Sequence, residues 1–320
     1  MSAGTIAILQ ELGVERERVE SLASEALPGW TIRWATGPGP ASTRASGAEV
    51  IVTVNEPLDG ASLRSLRPRL VAVSFTGTDH VDLEAARSLS IAVANVPSYA
   101  TSSVAELAVC LAISLMRQVA RADRNVREGS WGRGLAGAEL EGKTVGVVGT
   151  GRIGTAAARR FGAFGCRILG ASRSRSPEFA SAGGTYAKLD DLLGRSDVVT
   201  LHVPLTPETR GLVGARELGL MRPTALLVNT ARGPVVDAAA LARALTEGRL
   251  GGAALDVHDP EPLPRDHPML GAPRTLLTPH VAFATHEALE RKVVATLENI
   301  RGFLDGRSVN RVDRDRQDGS

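Results

Sequence analysis

The stretch Lys143–Arg173 constrains the fold of this chain more than any other. Thr144–Val148 is a short, apolar, β-branched run and predicts a buried strand. It runs straight into Gly149-Thr150-Gly151-Arg152-Ile153-Gly154. An alanine-rich helical segment follows, and Arg167–Ala171 predicts a second strand. This order of strand, Gly-x-Gly-x-x-Gly, helix and strand turns a weak glycine motif into a dinucleotide-binding fingerprint. Gly149 is expected to permit the tight turn, Gly151 to let a pyrophosphate approach the backbone, and Gly154 to let the helix pack close to the sheet. The helix N-terminus, which carries Arg152 and Ile153, offers unpaired N–H groups and a partial positive charge to the same pyrophosphate.

The 320-residue chain has room for about two domains. A net charge of +2 makes no case for nucleic acid, and 3% aromatics argue against stacking platforms for single strands. Cys110 and Cys166 are each flanked by apolar residues and read as core residues of a reduced, intracellular protein. A disulfide or metal role needs partners that the sequence does not supply. The N-terminus lacks a basic region followed by a long apolar run, and no apolar run reaches membrane-spanning length, so a soluble cytoplasmic protein is expected.

Short apolar runs at Thr5–Leu9, Thr31–Ala35, Val50–Val54, Leu70–Phe75 and Ile91–Val96 alternate with helix-compatible segments Arg16–Leu27, Ser62–Arg67 and Leu83–Ser90. Such alternation implies βαβ units and a parallel sheet, so the first hundred residues form an α/β domain of their own. Pro38–Ser42 reads as a loop. Thr101–Arg117 predicts a connecting helix, with Ser103 and Glu106 as a capping box. Arg121–Trp131, with Gly129, Gly132, Gly134 and Gly137, reads as a polar helix end and an exposed loop. Trp131 there suits either a subunit contact or a buried anchor. Further strands are expected at Val198–Val203, Ala225–Asn229, Gly252–Val257 and Thr275–Thr278. Asp237–Glu247 predicts a helix with Asp237 as N-cap and Gly248 just past its end. The last helix, His286–Leu304, carries Leu289, Val293, Leu297, Ile300 and Leu304 on one face, and the charged tail from Arg311 is expected to fray.

Ligands in open α/β sheets bind at the carboxyl ends of strands. Three polar stretches fall there: Val228–Gly233, Leu255–Pro262 and Thr278–His280. The motifs GTGRIG, NTARG, LDVHDPEP and TPH, in this order and spacing, resemble the D-isomer-specific 2-hydroxyacid dehydrogenases. The resemblance covers nearly the whole chain and includes TGTDHVD at 76–82 and NVPSYATSSVAELA at 95–108.

That resemblance implies an α/β protein of two Rossmann-like domains. One is a flavodoxin-like substrate domain built from residues 1–99 and 286–320, discontinuous because the last helix returns to it. The other is a doubly wound parallel-sheet dinucleotide-binding domain over 100–285, and the family places its active site in a cleft between the two. Arg232 matches the family's substrate-binding arginine, His280 its acid/base, and Glu261 the carboxylate paired with that histidine. A guanidinium holds a carboxylate and a neighbouring carbonyl oxygen together, and an imidazole suits giving a proton to an alkoxide and taking it back. Thr76, Gly77 and Thr78 resemble the loop whose backbone receives the substrate carboxylate, with Tyr99 lining the same cleft. Phe75 stands where many relatives have a small residue. Beside the glycines, the resemblance assigns His202, Val203, Pro204, Thr209, Thr230, Ala231 and Asp256 to the cofactor, the last near the nicotinamide carboxamide. His258 and His286 are competing bases to which the family gives no role.

One departure bears on cofactor choice. Family members that prefer NAD usually carry Asp at the end of the second strand, where this chain has Ser172, followed by Arg173, Ser174 and Arg175. A hydroxyl and guanidinium groups bind a 2′-phosphate that a carboxylate repels, so NADP(H) is expected over NAD(H). The expected ligand is a small 2-keto or 2-hydroxy acid, and a homodimer is implied. Alternatives on the same frame are formate or phosphite oxidation, or a nucleotide-sensing co-repressor. Glu261 argues mildly against formate, where Gln is usual.

Overall fold

The computed structural model describes residues 4–131 and 134–313; Gly132 and the tail beyond Asp313 lie outside the described residues. The chain divides into two compact units, Met1–Ala100 with Ala284–Ser320, and Thr101–Phe283.

The first unit holds β1 (Thr5–Ile8), β2 (Thr31–Trp34), β3 (Val50–Thr53), β4 (Leu70–Val73) and β5 (Ala92–Ala94). They pair in parallel in the order β2-β1-β3-β4-β5, the flavodoxin-like arrangement. Every residue of β3, β4 and β5 is buried, as expected for strands covered on both faces, which read as continuous apolar runs. The helix His286–Leu304 belongs to this unit although it is last in sequence. Thr285 caps it, its Oγ1 accepting from Ala288 N at 3.2 Å. Val293, Leu297 and Ile300 pack into the cluster that contains Ile6, Ile8, Val50 and Val52. Each such side chain, taken fully out of water, is worth about 1.5–3 kcal/mol. Thr296 Oγ1 also donates to Ser74 Oγ at 2.9 Å, which fixes the helix on the end of β4.

The second unit holds β6 (Thr144–Val148), β7 (Arg167–Ala171), β8 (Gly184–Tyr186), β9 (Val198–Leu201), β10 (Leu226–Asn229), β11 (Gly252–Leu255) and β12 (Thr275–Leu277). All pairs are parallel, in the order β12-β11-β10-β9-β6-β7-β8. Chain order reverses between β6 and β9, and that reversal is the topological switch point of a doubly wound sheet. The helix Arg152–Ala163 packs its Ala157, Ala158 and Phe161 with Ala105, Ala108 and Ala112 of the helix Thr101–Met116. Small residues on both partners let the two helices come close. Asp237 caps the helix Ala238–Thr246, accepting from Ala240 N at 2.9 Å, and Gly248 past its end takes φ +69°.

Several expectations need correction. The helix at 101 begins two residues before Ser103, so Ser103 is an interior, buried residue and no capping box forms on it. Glu106 instead accepts from Ser102 Oγ at 2.9 Å and from Arg160 at 3.0 Å. Cys110 is exposed on that helix, because it lies outside the stripe that faces Ala157 and Phe161. Cys166 is half-buried, its thiol donating to Leu140 O at 3.3 Å, and burial pushes its pKa up to about 11. Ala41 and Ser42, read as loop, start a one-turn helix, Ala41–Arg44, behind Pro40. β8 escaped the sequence because three residues are too few to show a period. Trp131 is 90% exposed. Among the described residues, no single helix is long and apolar enough to cross a membrane, although the bent pair Thr101–Met116 and Val119–Arg127 together reaches that length and composition. No group of three or more His, Cys, Asp or Glu side chains there is arranged to hold a metal ion.

Candidate active site

The glycine-rich loop leaves β6 at the switch point. Gly149 has φ +93°, and a Cβ there would lie 2.5 Å from the carbonyl oxygen of His202, the residue that follows β9. Two strand ends therefore meet over a residue that must be glycine. A Cβ at Gly154 would lie 1.9 Å from Gly149 O, which is why the helix can sit directly on the strand end. A Cβ at Gly151 would meet nothing within 4 Å, so this side of the loop is open. Gly151 is the N-cap of the helix Arg152–Ala163, and no side chain caps the first amides. An open glycine face in front of uncapped helix N–H groups is a fit for a pyrophosphate. Thr230 Oγ1, buried at the end of β10 without a hydrogen-bond partner, is a second group suited to a polar ligand.

Other cofactor candidates are placed as follows. The His202 ring sits 2.9 Å from Thr200 Oγ1, and burial lowers its pKa to about 4, so it is neutral. Thr209 Oγ1 donates to Pro204 O at 2.6 Å and accepts from Thr206 N at 2.8 Å, closing the loop that contains Val203 and Pro204. Ser172 directly follows β7. Arg175 lies over the Tyr186 ring, 5.5 Å from its centroid.

Arg232, Glu261 and His280 sit on three neighbouring loops. Asn229 pairs with Leu255, and Leu255 with Leu277, so β10, β11 and β12 end side by side at the carboxyl edge. Asn229 shapes the arginine turn, its Oδ1 accepting from Ala231 N at 3.0 Å and its Nδ2 donating to Arg232 O at 2.9 Å. Glu261 Oε2 accepts from His280 Nδ1 at 2.8 Å, and Glu261 Oε1 accepts from the His258 amide at 2.8 Å. Burial raises the Glu261 pKa, but the bonds from His280 and from the His258 amide outweigh it and hold the carboxyl below its ordinary range. His280 itself has φ +54°, a left-handed conformation uncommon outside glycine.

What holds that backbone is Asp256. Its carboxylate is fully buried. Oδ1 accepts from Thr278 Oγ1 at 2.6 Å and from Val281 N at 2.9 Å, and Oδ2 accepts from Ala282 N at 2.8 Å. Its carbonyl accepts from His280 N at 2.7 Å. Asp256, expected beside a nicotinamide carboxamide, is thus engaged in shaping the turn that carries His280. His258, a competing base to which the family gives no role, clamps Glu261 with its amide and donates from Nε2 to Thr278 O at 2.9 Å. Neither service was legible in the sequence, because a backbone amide and a second-turn brace leave no compositional mark. His286 is the exposed first residue of the last helix, in the first unit. Thr76, Gly77, Thr78 and Tyr99 also belong to the first unit. There Thr76 Oγ1 donates to Val96 O at 3.0 Å, and the buried Tyr99 ring lies 6.1 Å from that of Phe75.

A doubly wound sheet with an open glycine-rich loop at its switch point, and a histidine–carboxylate pair on the same edge, is the frame of a dinucleotide-dependent α/β enzyme. Residues 109–282 match the family model described as D-isomer specific 2-hydroxyacid dehydrogenase, NAD binding domain. Over 276 residues the chain is 42% identical to the glyoxylate reductase of Aeropyrum pernix, covering 83% of this chain and 82% of that one. The D-lactate dehydrogenase of Aquifex aeolicus, solved with NAD and lactic acid, superposes with a TM-score of 0.84 at 30% identity, covering 94% of this chain and 96% of that one. An acyclic imino acid reductase solved with NADPH and D-Arg gives a TM-score of 0.87 at 26% identity, covering 96% and 99%.

The chain belongs to the D-isomer-specific 2-hydroxyacid dehydrogenase family. It is an oxidoreductase that uses a nicotinamide dinucleotide to interconvert a 2-keto acid and a 2-hydroxy acid. The formate, phosphite and co-repressor alternatives are not favoured by these relatives.

Proposed function

We propose that this enzyme reduces glyoxylate or a close 2-keto acid to the D-2-hydroxy acid with NADPH. The observation that carries the reading is the 2.8 Å contact between His280 Nδ1, after β12, and Glu261 Oε2, after β11, on the same sheet edge that carries Arg232 after β10. The second unit serves as the dinucleotide-binding domain and the first as the substrate domain. When bound, the reduced nicotinamide supplies a hydride to the keto carbon. The Arg232 guanidinium holds the substrate carboxylate and the keto oxygen in one plane. Glu261 accepts the Nδ1–H of His280, which orients the ring and leaves Nε2 as the atom that gives its proton to the developing alkoxide. In oxidation the same nitrogen takes the proton back.

For the cofactor, the support is the turn Ser172-Arg173-Ser174-Arg175, which offers hydroxyls and guanidinium groups where a carboxylate would repel a 2′-phosphate. Steady-state reduction of glyoxylate, hydroxypyruvate and pyruvate with either cofactor tests both parts. The expected result is turnover of at least one acid, with kcat/KM about 10–100-fold higher for NADPH, the worth of one or two charge-assisted hydrogen bonds. A clear preference for NADH defeats the cofactor assignment, and no turnover of any 2-keto acid defeats the substrate assignment.

A homodimer is part of the same reading. The helix Val119–Arg127 has no buried residue, and Val119, Val126, Trp131 and Leu270 are exposed apolar side chains of the second unit. Val119 and Val126, seven residues apart, lie on one face of that helix, and an uncovered apolar face is the kind that a second copy covers. Sedimentation is expected to give twice the 33.5 kDa chain mass, and a monomer at micromolar concentration removes this part. The free thiols of Cys110 and Cys166 accord with a reducing, cytoplasmic location, which cell fractionation tests.

A further inference from the structure

Tyr186 ends the edge strand β8, and the cofactor chemistry described above makes no use of it. Its hydroxyl nevertheless ties together the two loops that flank the first β–α–β turn of the sheet. It accepts from Ser176 N at 2.7 Å, and it lies 2.9 Å from Thr150 Oγ1, between Gly149 and Gly151 of the glycine-rich loop. Ser176 closes the basic turn that begins at Ser172, its Oγ capping the short helix Pro177–Ser181. The Tyr186 ring carries the Arg175 guanidinium over its face, 5.5 Å from the centroid, and packs tilted on the Phe179 ring at 5.2 Å.

The reach is possible because the intervening strand is bare. Tyr186 pairs in register with Gly170 of β7. A Cβ on Gly170 would lie 2.4 Å from the Phe179 ring and 3.0 Å from Thr150 Cγ2, so any larger residue would displace the groups that seat the tyrosine. Gly184 makes the same allowance on β8, where a Cβ would come within 2.2 Å of Phe179. One side chain therefore does three things. It satisfies the Ser176 amide, fixes the side chain of Thr150, and orients an arginine by a cation–π contact.

We propose that Tyr186 is a positioning residue for cofactor selectivity: it holds the Ser172–Ser176 turn and Arg175 in register with the pyrophosphate loop, so that an adenosine 2′-phosphate is met by preset donors. The inference rests on the NADP(H) reading. Its chemistry is ordinary preorganisation, in which donors already in place need not be ordered when an anion arrives. The ligand class is an adenosine nucleotide carrying a 2′-phosphate, and the phenol acts through Arg175 and the turn rather than by touching the phosphate.

Calorimetric titration of the full chain with 2′,5′-ADP and with 5′-AMP tests it without turnover. Tyr186→Phe keeps the ring, the packing on Phe179 and the cation–π contact but removes both hydrogen bonds. The expected result is a loss of about tenfold in affinity for 2′,5′-ADP, the worth of one to two hydrogen bonds, with 5′-AMP affinity within about twofold of the parent. Thr150→Val cuts the other end of the bridge, and in that background Tyr186→Phe should cost distinctly less, because the two changes remove a shared contact. Unchanged thermal midpoints confirm that both variants fold. Equal weakening of both nucleotides, or of neither, overturns the role of Tyr186 while leaving the cofactor reading intact. A parent protein that does not favour 2′,5′-ADP over 5′-AMP overturns the NADP(H) reading, and the inference with it.

Discussion

His280→Ala is expected to lower kcat for 2-keto acid reduction by about 10²–10⁴-fold, the usual worth of a positioned general acid, with cofactor affinity within about twofold of the parent. His258, the other histidine on these loops, spends its Nε2 on Thr278 O. Stopped-flow reduction under saturating cofactor reads the chemical step directly. Retention of full activity would end the assignment of His280. The same variant has a second readout. Glu261 is lowered on folding, in part by the His280 hydrogen bond. A carboxyl lowered on folding adds stability above its unfolded pKa of about 4.3 and loses it as pH falls through the folded value. Without the imidazole that contribution shrinks, so the drop in thermal midpoint between about pH 5 and pH 3 should be smaller in His280→Ala than in the parent.

Asp256→Asn is expected to cost about 2–4 kcal/mol of stability and to reduce kcat at least tenfold, with cofactor affinity retained. The carboxylate accepts from the Thr278 hydroxyl and from the amides of Val281 and Ala282, and none of its surface reaches water. An amide of the same shape must point its NH2 at one set of those donors, leaving buried N–H groups facing each other. The turn that holds His280 at φ +54° then loses its anchor. Denaturant unfolding measures the first effect, and single-turnover rates measure the second. If the variant instead keeps its stability and loses cofactor affinity, Asp256 touches the cofactor, as the family resemblance implied, and the positioning role fails.

How well a feature could be read from the residues followed the range of the interaction behind it. The fingerprint around Gly149, the cap at Asp237 and the apolar face of His286–Leu304 are each written within one element, where periodicity and local chemistry are enough. Each appears where the sequence pointed. Ser103 misled because an i, i+3 pair of capping type is also found inside helices, and this helix already begins at Thr101. Cys110 misled because apolar neighbours in sequence say nothing about which side of a helix meets the core.

Residue types and spacing alone thus determined the alternation of strand and helix and the glycine-rich turn, while the family was legible only through the resemblance of its motifs. The first two depend on short-range backbone preferences that the chain carries wherever it goes. Tertiary structure alone decided what the buried groups do. Asp256, His258 and Tyr186 are ordinary residues in the linear text. They acquire their tasks only when neighbouring strands bring distant amides, hydroxyls and rings within 3 Å or so, where a desolvated polar group must find a partner.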